Sequence, residues 1–193
     1  MSQGGSPSLT PTLITAVVTV FGWYATYAYT RYREDRTRRL ELDLKFRQRQ
    51  IEELYGPLLS LIEQIFNVWT VRENVLSAPG AQLGEEQRKQ VREFFWQRYF
   101  APLHTEIGAL LRTKLYLLEG IQLPESFSQY LVHATQEACQ HRLWEELKID
   151  TRHVEGRPWP QDFYKDVRSS LDRLMAAHRV KLEGLRRPRG GAA

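Results

Sequence analysis

Apolar residues recur along most of the chain at alternating steps of three and four positions, which is the period of an amphipathic helix. After residue 30 this pattern predicts four helices, at about 36–77, 85–118, 125–147 and 161–185. No segment alternates with the two-residue period of a strand, and no internal repeat is evident. The sequence therefore predicts an all-α fold in which four long helices form a bundle over residues 31–185.

The same periodicity predicts which side chains are buried. In the second helix the predicted core positions are Val91, Phe94, Phe95, Tyr99, Leu103, Ile107, Leu110, Leu111, Leu115 and Leu118. In the last helix they include Leu171, Leu174 and His178. Pro57 should kink or interrupt the first helix, and Pro102 should bend the second, because proline lacks a backbone donor and crowds the preceding turn. Lys148 to Pro160 is expected to be a loop; most tryptophans should lie in the core, and Trp159 in this loop is the first candidate if one is instead an exposed recognition feature.

The first thirty residues carry no charged side chain. They divide into a Gly/Ser/Pro leader, 1–12, and an apolar segment, 13–30. At about 1.5 Å per residue a helix over 13–30 is about 27 Å long, close to the thickness of a hydrocarbon core. A cleaved secretory signal would have a basic residue before its apolar region, which this leader lacks. The segment therefore predicts one transmembrane helix.

The flanking residues predict the orientation of that helix. Five arginines follow it directly and would be retained at lipid headgroups on the cytoplasmic side: Arg31, Arg33, Arg36, Arg38 and Arg39. We therefore expect an inner-membrane, single-pass protein with its N-terminus outside and its helical domain in the cytoplasm. The formal charge of +4 is then explained by anionic lipid rather than by nucleic acid. The lone Cys139 suits a reducing compartment, and residues 186–193 are expected to form a basic flexible tail.

Small or hydroxyl-bearing residues share one face of the predicted membrane helix. They are Thr15, Thr19, Gly22 and Thr26, at spacings of four, three and four. Such a face permits close helix approach in lipid, so self-association is expected there, and an oligomer could enclose a polar path. Alternatively, each threonine hydroxyl bonds to its own helix backbone and has no further role.

Two segments match Arg-x(4–6)-His, a pattern that can supply a general acid or base beside a cation for RNA cleavage. They are Arg98 to His104 and Arg173 to His178. With 21 Arg and five His in the chain, about 1.6 matches are expected by chance. Of the two, Arg173 and His178 form the better catalytic candidate, because Pro102 disturbs the first. A buried structural role for His178 is the competing interpretation.

On the third helix His133, Glu137, His141 and Glu145 follow one another at four-residue steps and project from one face. Imidazole and carboxylate groups in this pattern could hold a divalent metal if a neighbouring helix supplied further ligands. The two-histidine zinc motif His-Glu-x-x-His is absent. We therefore favour a solvated polar face and predict neither a metal nor a cofactor. Cys139 has no paired base in sequence, so no nucleophilic role is expected.

The segment Glu52-Glu53-Leu54-Tyr55-Gly56-Pro57-Leu58-Leu59, placed after one apolar segment and an arginine-rich helix, resembles small bacterial membrane proteins with an "ELYGPL"-like motif. More distantly, one span followed by a helical domain with Arg-x(4–6)-His is similar to the membrane-anchored HEPN-type accessory proteins of CRISPR defence. The first resemblance implies no activity. The second implies either an oligomeric membrane-perturbing effector or a HEPN-like ribonuclease acting on RNA.

Together these patterns favour a non-enzymatic, membrane-anchored helical protein that self-associates and docks a cytoplasmic protein partner. The defence effector and the ribonuclease remain the alternatives.

Overall fold

The computed structural model describes residues 9–78, 80, 83–120, 122–149, 151 and 154–186, with side chains from 18 to 185. Every regular element in these ranges is helical, which confirms the all-α prediction. The α-helices are α1 (Leu9–Gln50), α2 (Gly56–Ser77), α3 (Glu85–Phe95), α4 (Ala101–Lys114), α5 (Glu125–Leu147) and α6 (Gln161–Arg186).

The chain divides into two compact units, one ending at Lys45 and one beginning at Phe46. In the first unit, α1 is helical from Leu9 onward and includes the whole predicted span, 13–30. Within the part of the chain that the structure describes, no helix has both the length and the apolar character needed to cross a bilayer. Most of the predicted leader, and the tail beyond residue 186, lie outside the described residues.

The second unit is a four-helix bundle. Helix α2 packs against α4 and α6, and α5 packs against the same two helices, which closes a ring; α3 lies beside α2. The interior of the ring is apolar and aromatic because each helix turns one stripe of large side chains inward. Its largest fully buried side chains are Tyr55, Tyr130, Phe127 and Phe163.

Two short π-helical turns, Ile51–Tyr55 and Trp96–Phe100, interrupt the long helices. Each precedes a proline at the second position of the next helix, Pro57 in α2 and Pro102 in α4. A proline ring clashes with the carbonyl four residues earlier, and the wider π turn, bonded five residues back, moves that carbonyl aside. The interruption predicted at Pro57 is therefore confirmed, and it takes this specific form.

The structure corrects part of the predicted core around the second π turn. An extra residue in the turn shifts the buried stripe by one position, so Phe100 is buried whereas Tyr99 is exposed; Phe94, which lies before the turn, is exposed as well. Leu115 is also exposed, since α4 ends at Lys114 and a 3-10 turn places Leu117 in the core instead. A constant helical period could not reproduce either change.

Other boundaries agree closely with the predictions. Helix α5 covers Glu125–Leu147, as expected, and α6 begins at Gln161 after the proline-rich loop. Trp159, the candidate for an exposed recognition feature, is half-buried, and its ring packs on Tyr130, His133 and Phe163 in the bundle. The loop thus contributes Trp159 to the core, as expected for most of the tryptophans.

The ELYGPL-like segment forms the hub of this bundle. Leu54, Tyr55 and Leu58 are fully buried. Glu53 accepts hydrogen bonds from Lys114 Nζ at 2.6 Å and from Arg49 Nε at 2.8 Å. These four residues thus have structural roles in the bundle.

Candidate functional site

Two helices of the bundle bring three potential metal ligands together. His104 comes from α4, and His133 and Glu137 come from α5, one helical turn apart. The histidines are only 8% and 6% exposed, whereas the Glu137 side chain is 39% exposed. The cluster therefore has a dry interior side and one side open to solvent.

Both histidines present the same ring atom to the carboxylate. His104 Nε2 lies 3.8 Å from Glu137 Oε2, and His133 Nε2 lies 3.8 Å from Glu137 Oε1. One ligating atom from each of the three side chains lies within 4.8 Å of the other two. Both His–Glu distances exceed the hydrogen-bond range, so the three groups converge without bonding directly to one another.

A hydrogen bond at the Nδ1 atom of His133 fixes the tautomer of its ring. His133 Nδ1 lies 2.6 Å from the carbonyl oxygen of Arg157. A carbonyl oxygen only accepts, so Nδ1 carries the proton and donates it. In the neutral ring, Nε2 then holds a lone pair directed toward Glu137.

The His104 ring is held in a similar way. Its Nδ1 lies 2.8 Å from the hydroxyl oxygen of Tyr130, whose side chain is fully buried. Burial, followed by the nearby Glu137, raises the pKa of Tyr130 far above its usual value, so the phenol stays protonated. The hydroxyl can accept from Nδ1–H or donate to a bare Nδ1, and the first arrangement leaves Nε2 free for a metal.

Burial controls the charge of the cluster. Removal from water, with a smaller contribution from His133, lowers the pKa of His104 to about 4, so this ring is neutral near pH 7. Burial also raises the pKa of Glu137, while His133 and Arg72 act in the opposite direction. The half-exposed Glu137 carboxylate thus lies beside the neutral His104 ring and within the influence of two basic groups.

Aromatic rings enclose the interior side. The Trp159 ring lies 5.7 Å from the His133 ring and 6.2 Å from the His104 ring, measured between centroids. The Trp96 ring lies 5.8 Å from His104 and 5.4 Å from His141. These rings restrict the histidines to one orientation and exclude water from their inner edges.

His104 also lines a groove of about 630 Å³ between α4 and α5. Its polar and charged lining includes Arg112, Arg142, Cys139 and His141. Within the described residues, the buried nitrogens Trp96 Nε1, Trp159 Nε1 and His141 Nε2 have no hydrogen-bond partner. For His141 the nearest carboxylate oxygen, on Glu145, is 3.6 Å away, an ion-pair distance that is too long for a hydrogen bond.

The polar face predicted on the third helix is thus buried at one end, at His133, and exposed at the other, at Glu145. A solvated polar face is wrong at His133, which is buried, and the neighbouring helix does supply a further ligand, His104. Glu145 is exposed and accepts a hydrogen bond from Gln97 at 3.3 Å. The sequence had placed His104 in the other constellation, with Arg98, whose side chain is exposed.

Arg173 and His178 project from α6 about 140° apart around the helix axis. The Arg173 guanidinium donates to Glu119 Oε2 at 2.8 Å and to Ser170 Oγ at 3.1 Å. His178 is half-buried. The catalytic pairing of these residues stays a prediction, and no described contact carries it.

The N-terminal helix shows the internal bonding that competes with association. Thr26 Oγ1 donates to the Gly22 carbonyl at 2.8 Å. The Thr15 side chain lies outside the described side chains, and Thr19 has a partner within the structure. All five arginines that follow, Arg31, Arg33, Arg36, Arg38 and Arg39, are exposed.

Sequence reasoning missed the groups that orient the metal-ligand cluster. No pattern in the sequence singles out Tyr130 as such a group, and Arg157 and Trp159 lie in a segment that the sequence predicts only as a loop. Backbone acceptors leave no mark in a sequence, so only the His-x-x-x-Glu step on α5 could have pointed to this place.

The fold and the site define an all-α protein with a four-helix bundle and a buried His/His/Glu cluster. The chain matches no protein-family model, no curated protein and no solved structure. The resemblances noted in its sequence therefore stay predictions.

Proposed function

We propose that this chain is a membrane-anchored helical interaction protein, held in the inner membrane by the N-terminal part of α1. One structural observation carries the proposal. Large apolar side chains of this helix are exposed, including Val18 at 65%, Phe21 at 74% and Trp23 at 79%. Contiguous apolar surface of this kind marks a site that a membrane or another protein covers.

The distribution of charged residues favours lipid, rather than protein, as the partner that covers this apolar surface. Residues 1–30 carry no ionised side chain that would have to leave water, and the exposed arginines from Arg31 to Arg39 follow at once. Tyr24, Tyr27 and Tyr29, also exposed, lie beside those arginines, where aromatic rings favour the headgroup layer. This arrangement supports a single pass with the N-terminus outside and the bundle in the cytoplasm.

Self-association completes the proposal. By their spacing Thr15, Thr19, Gly22 and Thr26 share one face of the anchor, and a Cβ on Gly22 would meet no heavy atom within 4 Å. A second copy could approach closely there. The bundle of each copy would then dock a cytoplasmic protein partner, so one oligomer would hold several copies of that partner.

The unpaired cysteine permits a direct test of topology. Cys139 is exposed on the bundle. In spheroplasts of a bacterial host, a membrane-impermeant maleimide should label Cys139 only after lysis. On a Cys139→Ser background, Ser6→Cys should be labelled before lysis. Labelling of both sites only after lysis would mean that the helix lies on the inner surface, and would contradict a single pass.

A matched pair of variants tests the anchor itself. Phe21→Asp with Trp23→Asp should release the chain from the membrane pellet, because each Asp near the centre of a span costs about 2.5–3.5 kcal/mol. Phe94→Asp, which changes an exposed aromatic residue of the bundle, should leave the chain in an alkali-resistant pellet. Release of the unaltered chain by alkaline carbonate would show that protein, not lipid, covers the helix.

A further inference from the structure

The spacing of the three ligating atoms in the α4–α5 cluster is close to that of a metal site. With bonds of about 2.0–2.1 Å, the ligands of a tetrahedral zinc ion stand about 3.4 Å apart. Each histidine Nε2 is 3.8 Å from a Glu137 oxygen, and all three atoms lie within 4.8 Å of one another. Of the three side chains the half-exposed Glu137 is the least enclosed, and its movement would close this difference.

The hydrogen-bond pattern leaves a position that a cation would fill. The Arg157 carbonyl holds the proton of His133 on Nδ1, so a neutral His133 directs the lone pair of Nε2 at the Glu137 carboxylate. At 3.8 Å the His133 ring and the carboxylate do not hydrogen-bond directly, so a cation bound between them would displace no hydrogen bond.

The surroundings have the features that orient ligands in metal sites. Each histidine bonds through Nδ1 to a second group, the Arg157 carbonyl for His133 and the Tyr130 hydroxyl for His104. Such partners set the tautomer and aim Nε2 at the ion. Trp159 closes the inner side, and the half-exposed Glu137 places the carboxylate side of the cluster next to solvent.

From this arrangement we propose that His104, His133 and Glu137 bind one Zn²⁺ ion, with a fourth coordination position open toward solvent. Two histidines and one glutamate form a ligand set that zinc uses with an open position. Sites with nitrogen and oxygen ligands hold Zn²⁺ more tightly than Co²⁺ or Fe²⁺. The bundle carries this site whether or not α1 enters a membrane, so the inference is independent of the proposed anchor.

Cobalt provides a visible probe of the site. The untagged full-length chain, solubilised in detergent and stripped with a chelator, is titrated with Co²⁺ and then with Zn²⁺. We expect the visible absorption bands of low-symmetry Co²⁺ to saturate at one ion per chain and to disappear on addition of one equivalent of Zn²⁺. Zn²⁺ should also raise the thermal midpoint of unfolding, because an ion that binds only the native state stabilises it.

Variants separate this site from adventitious binding. Glu137→Gln removes the charge at a half-exposed position and should abolish saturable Co²⁺ binding with little effect on folding. Tyr130→Phe removes the hydroxyl that holds His104 Nδ1 and should weaken Zn²⁺ binding by about 10–100-fold. His141→Gln, a histidine one turn beyond Glu137 on the same helix, and Cys139→Ser should bind Co²⁺ as the unaltered chain does.

Three results would overturn the inference. The first is the absence of stoichiometric Co²⁺ and Zn²⁺ binding by the folded chain. The second is unchanged binding by Glu137→Gln in a variant whose circular dichroism shows it to be folded. The third is loss of binding in His141→Gln or Cys139→Ser, which would move the ion to the groove surface.

Discussion

Gly56 lies so close to Ile51 that a Cβ atom on Gly56 would stand 2.8 Å from the Ile51 carbonyl oxygen. The π turn causes this approach, since the Gly56 N–H donates to that same carbonyl. Gly56→Ala should therefore destabilise the bundle by about 1–3 kcal/mol, the usual cost of forcing extra volume into a packed site. The measurement is the free energy of unfolding from urea titration.

Gly184→Ala is the matched control for this substitution. Gly184 lies in α6, and a Cβ there would meet no heavy atom within 4 Å. The same change should stabilise the chain by about 0.5–1 kcal/mol, because alanine loses less backbone entropy in a helix. If both variants shift stability in the same direction, the close approach at Gly56 does not constrain the π turn.

The Tyr55 hydroxyl should contribute to stability through one long-range hydrogen bond. It accepts from the backbone N–H of Glu119 at 3.0 Å, across 64 positions of sequence. Tyr55→Phe leaves that part-buried N–H without this acceptor and should cost about 1–3 kcal/mol in urea unfolding. Tyr116→Phe, which removes an exposed hydroxyl bonded to Arg49, should change stability by less than about 0.5 kcal/mol. Equal effects of the two substitutions would contradict the role of Tyr55.

The Glu53 carboxylate should make the bundle sensitive to acid. Hydrogen bonds from Arg49 and then Lys114 lower its pKa from 4.5 to about 2 in the folded chain. The stabilisation is therefore fully present above the unfolded pKa and is lost as the pH falls from about 4.5 toward 2. In urea titrations over this range, Glu53→Gln should show a smaller loss of stability with falling pH than the unaltered chain.

Removal of the first partner gives an independent check on that assignment. Arg49→Met should also reduce the acid sensitivity. In the variant with both substitutions, the acid sensitivity should fall little further than in Glu53→Gln alone, because both substitutions act on one interaction. Additive effects of the two substitutions would assign the acid sensitivity to other carboxylates.

The sequence predicted the parts of the fold that local pattern controls. Helix α5 begins directly after Pro124 and ends before Lys148, whose backbone is left-handed. The sequence shows its start by the proline and its end by the point where the helical spacing of apolar residues stops. The all-α class follows from the same periodicity. The burial of Phe100 in place of Tyr99 did not follow from that periodicity, since a single π turn shifts the buried stripe by one position within the turn.

The candidate metal site depends on information that is not local. His133 and Glu137 share a face through their four-residue step, which sequence can show. The pairing of helices in the bundle determines that this face packs on α4. It also determines that His104, rather than another residue, lies opposite. The Nδ1 partners, a phenol and a backbone carbonyl, add a further layer that only the folded chain reveals.

Self-association of the N-terminal helix should depend on Gly22. Because a Cβ at Gly22 meets nothing within 4 Å of its own chain, Gly22→Leu adds bulk without disturbing the isolated helix. It should fill the face through which a second copy approaches and lower the mass of the detergent-solubilised protein toward that of a monomer.

Ala28→Leu adds similar bulk on the opposite side of the same helix and should leave the oligomer intact. The hydroxyl proton of Thr26 is already donated to Gly22 O, so close packing at Gly22, rather than hydrogen bonds from Thr26, should decide the result. A chain that is already monomeric before any substitution would exclude the association altogether.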